Sequence, residues 1–223
     1  ELVATFSSDE LMDYRSRRPT ISFSGETFTD VEMPTLALHA IRDNSGKGFL
    51  LLAGSEPDLR WEQFVDAVRR LSDGLGVTDV IGLNAIPMAV PHTRPITLTA
   101  HANDKELIAE HQPWVGEVAV PGSASNLLEF RMAQHGYEVV GFTVHVPHYL
   151  AQTDYPSAAE TLLSEVARNG SLELPTADLT KAAANVFDKI NEQGNVSSIA
   201  NLIFGQYVLV FEATSALLIT AAL

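Results

Sequence analysis

Apolar positions cluster along the chain in short runs bounded by Gly, Pro, Asp or Asn, and the spacing within each run separates strand from helix. Leu2 to Phe6, Thr20 to Ser24, Leu36 to Ile41, Phe49 to Gly54, Val80 to Ile86, Ile96 to Ala100, Val118 to Val120, Val139 to Val146 and Tyr207 to Phe211 predict strands. Phe49-Leu-Leu-Leu-Ala53 and Val80-Ile-Gly-Leu83 are continuously apolar, the pattern of strands covered on both faces, so the sheet centre is expected among them. Thr97-Leu-Thr-Ala-His101 alternates, as a strand nearer an edge does. From Arg60 to Gly74, residues Trp61, Phe64, Val65, Val68 and Leu71 form one stripe, with Asp58 as a cap and Gly74 as a stop, and predict an amphipathic helix. Ser123 to His135, Ser157 to Asn169 and Thr176 to Gln193 repeat the design. The alternation of strand and helix predicts a layered α/β fold with a mostly parallel sheet. The polar turn Asp43-Asn-Ser-Gly-Lys-Gly48 adds one antiparallel hairpin and makes the sheet mixed.

A length of 223 residues, with 46% hydrophobic and 19% charged residues, fits residues 1–223 as a single α/β domain. Fourteen Lys and Arg against twenty-eight Asp and Glu leave a net charge of −14, a field that repels phosphate backbones and argues against a nucleic acid partner. The chain has no cysteine, which excludes thiol nucleophiles and thiolate metal sites and fits a reducing, cytoplasmic compartment. Residues Leu202 to Leu223 are strongly apolar but contain Gln206 and Glu212. A carboxylate at the centre of a membrane span costs about 2.5 to 3.5 kcal/mol, so a buried strand and helix are expected there rather than a span.

Four phrases each follow an apolar run: Glu56-Pro-Asp-Leu-Arg-Trp61, Pro91-His-Thr-Arg-Pro95, Val120-Pro-Gly-Ser-Ala-Ser125 and Val146-Pro-His-Tyr149. They bring Arg60, His92, Thr93, Arg94, Ser123, Ser125 and His148 to strand ends, where open α/β sheets bind ligands. Arg60 either reaches a ligand or braces its turn against Glu56. The loop between Pro91 and Pro95 is stiff, because each proline fixes its own φ and restrains the residue before it. It suits ligand positioning, or a scaffold in which His92 satisfies neighbouring backbone. Ser123 or Ser125 can cap the helix that follows, or, with His145 or His148 as base, serve as a nucleophile, although the Gly-x-Ser-x-Gly elbow is absent. Asp13-Tyr-Arg-Ser-Arg-Arg-Pro19 concentrates three arginines in an acidic chain, either as a solvated loop or as an anion or subunit contact. There is no His-Glu-x-x-His, phosphate loop or Gly-x-Gly-x-x-Gly, so neither a metal nor a cofactor is expected.

Taken in order, the phrases beginning at Asp13, Glu56, Val90 and Val146 resemble the proteasome assembly chaperone family of the second type, in its bacterial branch of unassigned activity. The resemblance runs from Leu2 to about Gln193. It implies a three-layer α/β/α sandwich similar to phosphorylases and hydrolases, homo-oligomers with a trimer favoured, and a chaperone role in which proteasome subunits are the client. Family members usually begin with a strand, a glycine turn and a helix before the equivalent of Leu2. This chain instead ends with a strand-like and helix-like stretch from Tyr207 to Leu223, so residues 176–223 read as containing a displaced first unit whose end would lie near Glu1. The hydrophobic-Tyr-x ending by which some relatives dock on proteasome rings is not present at Leu223.

Two functions follow. One is a noncatalytic oligomer that binds a protein partner or small anion at the strand-end cleft, formed by Arg60, His92, Thr93, Arg94, Ser123, Ser125 and His148. The other is a hydrolase or phosphorylase-like enzyme acting on an anionic substrate, with His92 or His148 as acid or base, Ser123 as a candidate nucleophile, and Arg60 with Arg94 as an anion clamp.

Overall fold

The computed structural model describes residues 1–112, 114 and 116–192, the last eight as backbone only. The strand expected at Tyr207 to Phe211 and the helix after it lie outside the described residues. By its contacts the chain divides into two compact units. Glu1–Leu83, Thr99–Phe142 and Val166–Leu174 make the first; Asn84–Leu98, Thr143–Glu165 and the chain from Pro175 make the second.

In the first unit, β1 (Leu2–Thr5), β4 (Leu36–Arg42) and β5 (Gly48–Gly54) form a sheet in the order β1-β4-β5. The hairpin predicted from the polar turn joins β4 to β5, pairing Leu36 with Gly54 through to Arg42 with Gly48. Asp43 closes that turn: its carboxylate accepts the amides of Ser45 at 3.0 Å, Lys47 at 2.8 Å and Glu173 at 2.7 Å. These donors, the Glu173 amide foremost, hold its pKa below the usual carboxylate value. β1 also runs antiparallel to β4, which the single expected hairpin did not include.

Helices α1 (Ser8–Leu11), α2 (Trp61–Leu75) and α3 (Ala124–Gln134) belong to the same unit. The α2 stripe buries Phe64, Val65 and Val68 against Leu11, Met12 and Leu36, with Phe6 edge-on to Phe64 at 5.1 Å. Each such side chain contributes about 1.5 to 3 kcal/mol by leaving water. The helix ends one residue beyond the expected stop, because Gly76, at φ 71°, takes the left-handed cap that Gly74 was expected to supply. Its cap at the other end also differs. Asp58 accepts the Asp13 amide at 2.9 Å and pairs with Arg17 at 2.9 Å, while Arg60 occupies the N-cap position at φ 56°.

Strands β6 (Asp79–Met88), β8 (Glu138–Pro147) and β7 (Leu98–Ala102) hydrogen-bond in that order. β6 and β8 belong to the first unit as far as Leu83 and Phe142 and to the second beyond them. The second unit also holds most of α4 (Pro156–Gly170) and α5 (Ala177–Glu192), and packs Val144, Val146, Leu150 and Ala158 with Ile96, Tyr149, Tyr155 and Leu162.

Three strand expectations change. The sheet centres are β4 and β8, not the continuously apolar β5 and β6, which lie at sheet edges and leave Leu51, Leu83 and Ile86 exposed. Val118 to Val120 form no strand; they are unpaired and exposed just before Pro121. The strand expected at Ile96 begins at Leu98, beyond the turn in which the Arg94 amide donates to the Pro91 carbonyl at 3.3 Å.

Finally, β2 (Thr20–Ser24) pairs antiparallel with β3 (Thr27–Glu32), a strand the sequence reading did not identify. The two-residue turn between them opens at Gly25, φ 63°. Cross-strand pairs Ile21 with Val31 and Phe23 with Phe28 share one face, and the two rings meet edge-on at 5.2 Å. All eleven strand residues are exposed, Phe23 at 62% and Phe28 at 74%.

Candidate functional site

The residues singled out from sequence divide between the two units. In the second, the Pro91–Pro95 loop turns back on itself and buries His92, whose Nδ1 lies 2.7 Å from the Tyr149 hydroxyl. The His92 amide donates to that same oxygen at 2.9 Å, and the rings stand edge-on at 5.8 Å. His92 therefore anchors the loop to the 3-10 turn His148–Leu150 through Tyr149. Thr93 and His148 are exposed. Arg94 lines a cavity of about 70 Å³ with Thr97, His145 and Tyr155. His145 Nδ1 lies 2.8 Å from the Thr97 hydroxyl, and burial lowers its pKa.

In the first unit, Arg60 pairs with Glu10 at 3.0 Å, both side chains more than half exposed. It braces the entry to α2 against α1, a different partner from the Glu56 expected, and a surface pair of this kind contributes about 0 to 1 kcal/mol. Ser123 caps α3: its hydroxyl accepts the Asn126 amide at 3.1 Å, while the Asn126 carbonyl oxygen accepts the Ser123 amide at 3.2 Å. This is a reciprocal capping box. Glu56 adds to it by accepting the Ala124 amide at 2.7 Å. Ser125 lies 3.4 Å from a carboxylate oxygen of Glu129.

That carboxylate belongs to a pair the sequence reading missed. Glu129, 5% exposed, meets His101 Nε2 at 2.5 Å. The pair lies against the backbone of two strands at glycines. A Cβ on Gly82 would stand 2.1 Å from Glu129 Oε1, and one on Gly141 would stand 2.2 Å from the His101 ring. The hydrogen bond to Glu129 raises the His101 pKa against the opposing effect of burial. Beside the pair is a cavity of about 230 Å³ lined by His101, Asn103, Asn126, Phe130, Ala133 and Val139, among others. The signal for it was a glycine inside each of two otherwise apolar strands, Val80-Ile-Gly-Leu83 and Val139-Val-Gly-Phe142, which marks a close approach of other atoms. Among the described residues, no group of three or more His, Asp or Glu is placed to hold one metal ion.

The profile of the PAC2 family matches residues 1–194. The chain belongs to the PAC2 family. A Mycobacterium tuberculosis protein of unknown function is 59% identical, covers 96% of this chain and 76% of its own, and superposes with a TM-score of 0.85. A Corynebacterium glutamicum protein of unknown function is 41% identical over 96% of this chain and 79% of its own, TM-score 0.83. A Mycobacterium tuberculosis proteasome-assembly chaperone homologue is 25% identical over 86% of this chain and 82% of its own, TM-score 0.80. No curated protein matches the chain. The resemblance drawn from the phrases at Asp13, Glu56, Val90 and Val146 is thus shown, and the PAC2 fold accounts for the mixed α/β architecture. No helix among the described residues of this PAC2 chain is long and apolar enough to cross a membrane.

Proposed function

We propose that this PAC2 chain is an oligomeric, noncatalytic binding protein of the cytoplasm that works as an assembly chaperone, with proteasome subunits as the client class. The observation that carries this reading is the β2–β3 hairpin. An isolated two-stranded hairpin is marginal in water, yet this one turns Ile21, Phe23, Phe28 and Val31 outward on one face. The opposite face carries Thr20, Ser22, Asp30 and Glu32, so the hairpin is amphipathic, with its apolar side uncovered by the described residues. A neighbouring copy of the chain is the cover we assign to it, in a homotrimer, the assembly that the family resemblance favours. The three-layer sandwich of phosphorylase and hydrolase type belongs to the same reading; the mostly parallel sheet does not, because β1 with β4, β4 with β5 and β2 with β3 all pair antiparallel.

The enzyme alternative has less support. The Ser123 hydroxyl is engaged in the capping box, and Arg60 is held by Glu10. The anion reading rests on Arg94, whose guanidinium has no hydrogen bond or ion pair among the described residues and lines a cavity with Thr97. Sedimentation velocity of the full chain tests the main reading. The wild type should run as a trimer at micromolar concentration, Phe23→Asp with Phe28→Asp should run as a folded monomer, and the trimer should co-sediment with purified proteasome subunits of the same organism. A monomeric wild type, or an oligomer indifferent to both substitutions, overturns it.

A further inference from the structure

The cavity beside Glu129 and His101 lies entirely within the first unit and plays no part in the proposed assembly. Its walls have a division of labour. From α3, Asn126, Glu129, Phe130 and Ala133 recur at the spacing of one helical face; from β7 and β8 come His101, Ala102 and Val139. Asn103 also lines it, but its side chain is engaged, donating to the Tyr137 carbonyl at 2.8 Å and accepting the Val139 amide at 2.9 Å.

Burying a carboxylate is unfavourable unless it is paired, and a buried pair adds little net stability over apolar packing. Here the pair further requires Gly82 and Gly141, one on each of two adjacent strands, to have no side chain. This arrangement makes His101 an oriented donor. Glu129 holds Nε2 and favours the imidazolium, while the ring stays about half exposed, 48%, and Nδ1 has no partner among the described residues. Glu129 is the only other titratable side chain in the lining. Asn126 adds a second donor. Its carbonyl oxygen is taken by the Ser123 amide and hydroxyl, which leaves its side-chain N–H groups without a partner among the described residues. Two donors in a lining that also holds Phe130, Ala133, Ala102 and Val139 call for a ligand with an anionic head and an apolar body. At about 230 Å³ the space is smaller than the roughly 300 to 1,000 Å³ of pockets for drug-sized molecules. The body must therefore be short.

We propose that this cavity binds small monocarboxylates with a short aliphatic chain, the carboxylate received by His101 Nδ1 and the Asn126 side-chain amide and the chain lying against Phe130, Ala133 and Val139. Titration of the full chain with butyrate, followed by calorimetry and by amide NMR shifts, tests it, with n-butanol as the uncharged control of equal length. Butyrate should bind saturably, shift Asn126, Phe130, Ala133 and Val139, and bind at least about tenfold more tightly than butanol, as befits a charge-assisted hydrogen bond. His101→Gln should weaken it about tenfold or more. Ala133→Leu, which adds bulk to the lining and leaves the His101–Glu129 pair intact, should do the same, so the test survives if His101→Gln fails to fold. No saturable butyrate shift in the lining, equal affinity for butanol, or unchanged binding in the folded variants overturns the proposal.

Discussion

At the residue scale, the seat of the His101–Glu129 pair is a close constraint. Alanine at either glycine intrudes on the buried Glu129 carboxylate, whose nearest oxygen lies 2.1 Å from a Cβ on Gly82 and 2.6 Å from one on Gly141, and at Gly141 it also meets the His101 ring. Gly82→Ala and Gly141→Ala should therefore each cost about 2 kcal/mol or more in denaturant unfolding. A cost near zero for either would mean that the pair has room to shift. The pair also sets a pH dependence. His101 has a folded-state pKa raised above its ordinary 6.5, so its contribution to stability is complete below that value and is lost as pH rises through the folded value. The stability difference between wild type and His101→Gln should accordingly shrink as pH is raised from about 6 toward 9, and the His101 ring proton should titrate later than that of a free histidine. A difference that grows with pH would contradict the assignment.

At the element scale, helices were legible because their stripes are long: α2, α3, α4 and α5 all lie where the spacing puts them. Most strands were legible too, β3 and the false strand at Val118 to Val120 excepted, but their places in the sheets were not. A continuous apolar run was taken to mean cover on both faces, yet β5 and β6 are edge strands, and the run in each says only that something apolar meets them. The buried centre β8 carries Glu138, Thr143 and His145 among its apolar residues, so composition alone did not single it out. β3 was missed although Ser24-Gly-Glu-Thr27 is a two-residue turn signal followed by Phe28 and Val31, because a bulge at Thr29 breaks the alternation that marks a strand. The candidate site followed the same division. Local chemistry was readable, as the rigid Pro91–Pro95 loop and the serine cap before α3 show. Partners distant in sequence were not: Tyr149 for His92, Glu10 for Arg60 and Glu129 for His101 lie 57, 50 and 28 residues away.

At the scale of the whole molecule, the net charge of −14 bears on assembly. Each copy repels the next, and the surface assigned to contact, the apolar face of β2 and β3, has no charge with which to offset that repulsion. Added salt screens the long-range term within a Debye length of about 10 Å at 0.1 M and leaves hydrophobic burial intact. Association through the hairpin should therefore tighten as salt rises from about 0.02 to 0.5 M. An interface built on ion pairs would do the reverse. The arginine-rich segment before β2 is the natural source of such pairs, since Arg17 is engaged by Asp58 and the Glu56 carbonyl while Arg15 and Arg18 have no side-chain partner among the described residues. Sedimentation across that salt range separates the two: an assembly that loosens with salt would move the contact from Phe23 and Phe28 to Arg15 and Arg18, and one that tightens places it on the apolar face.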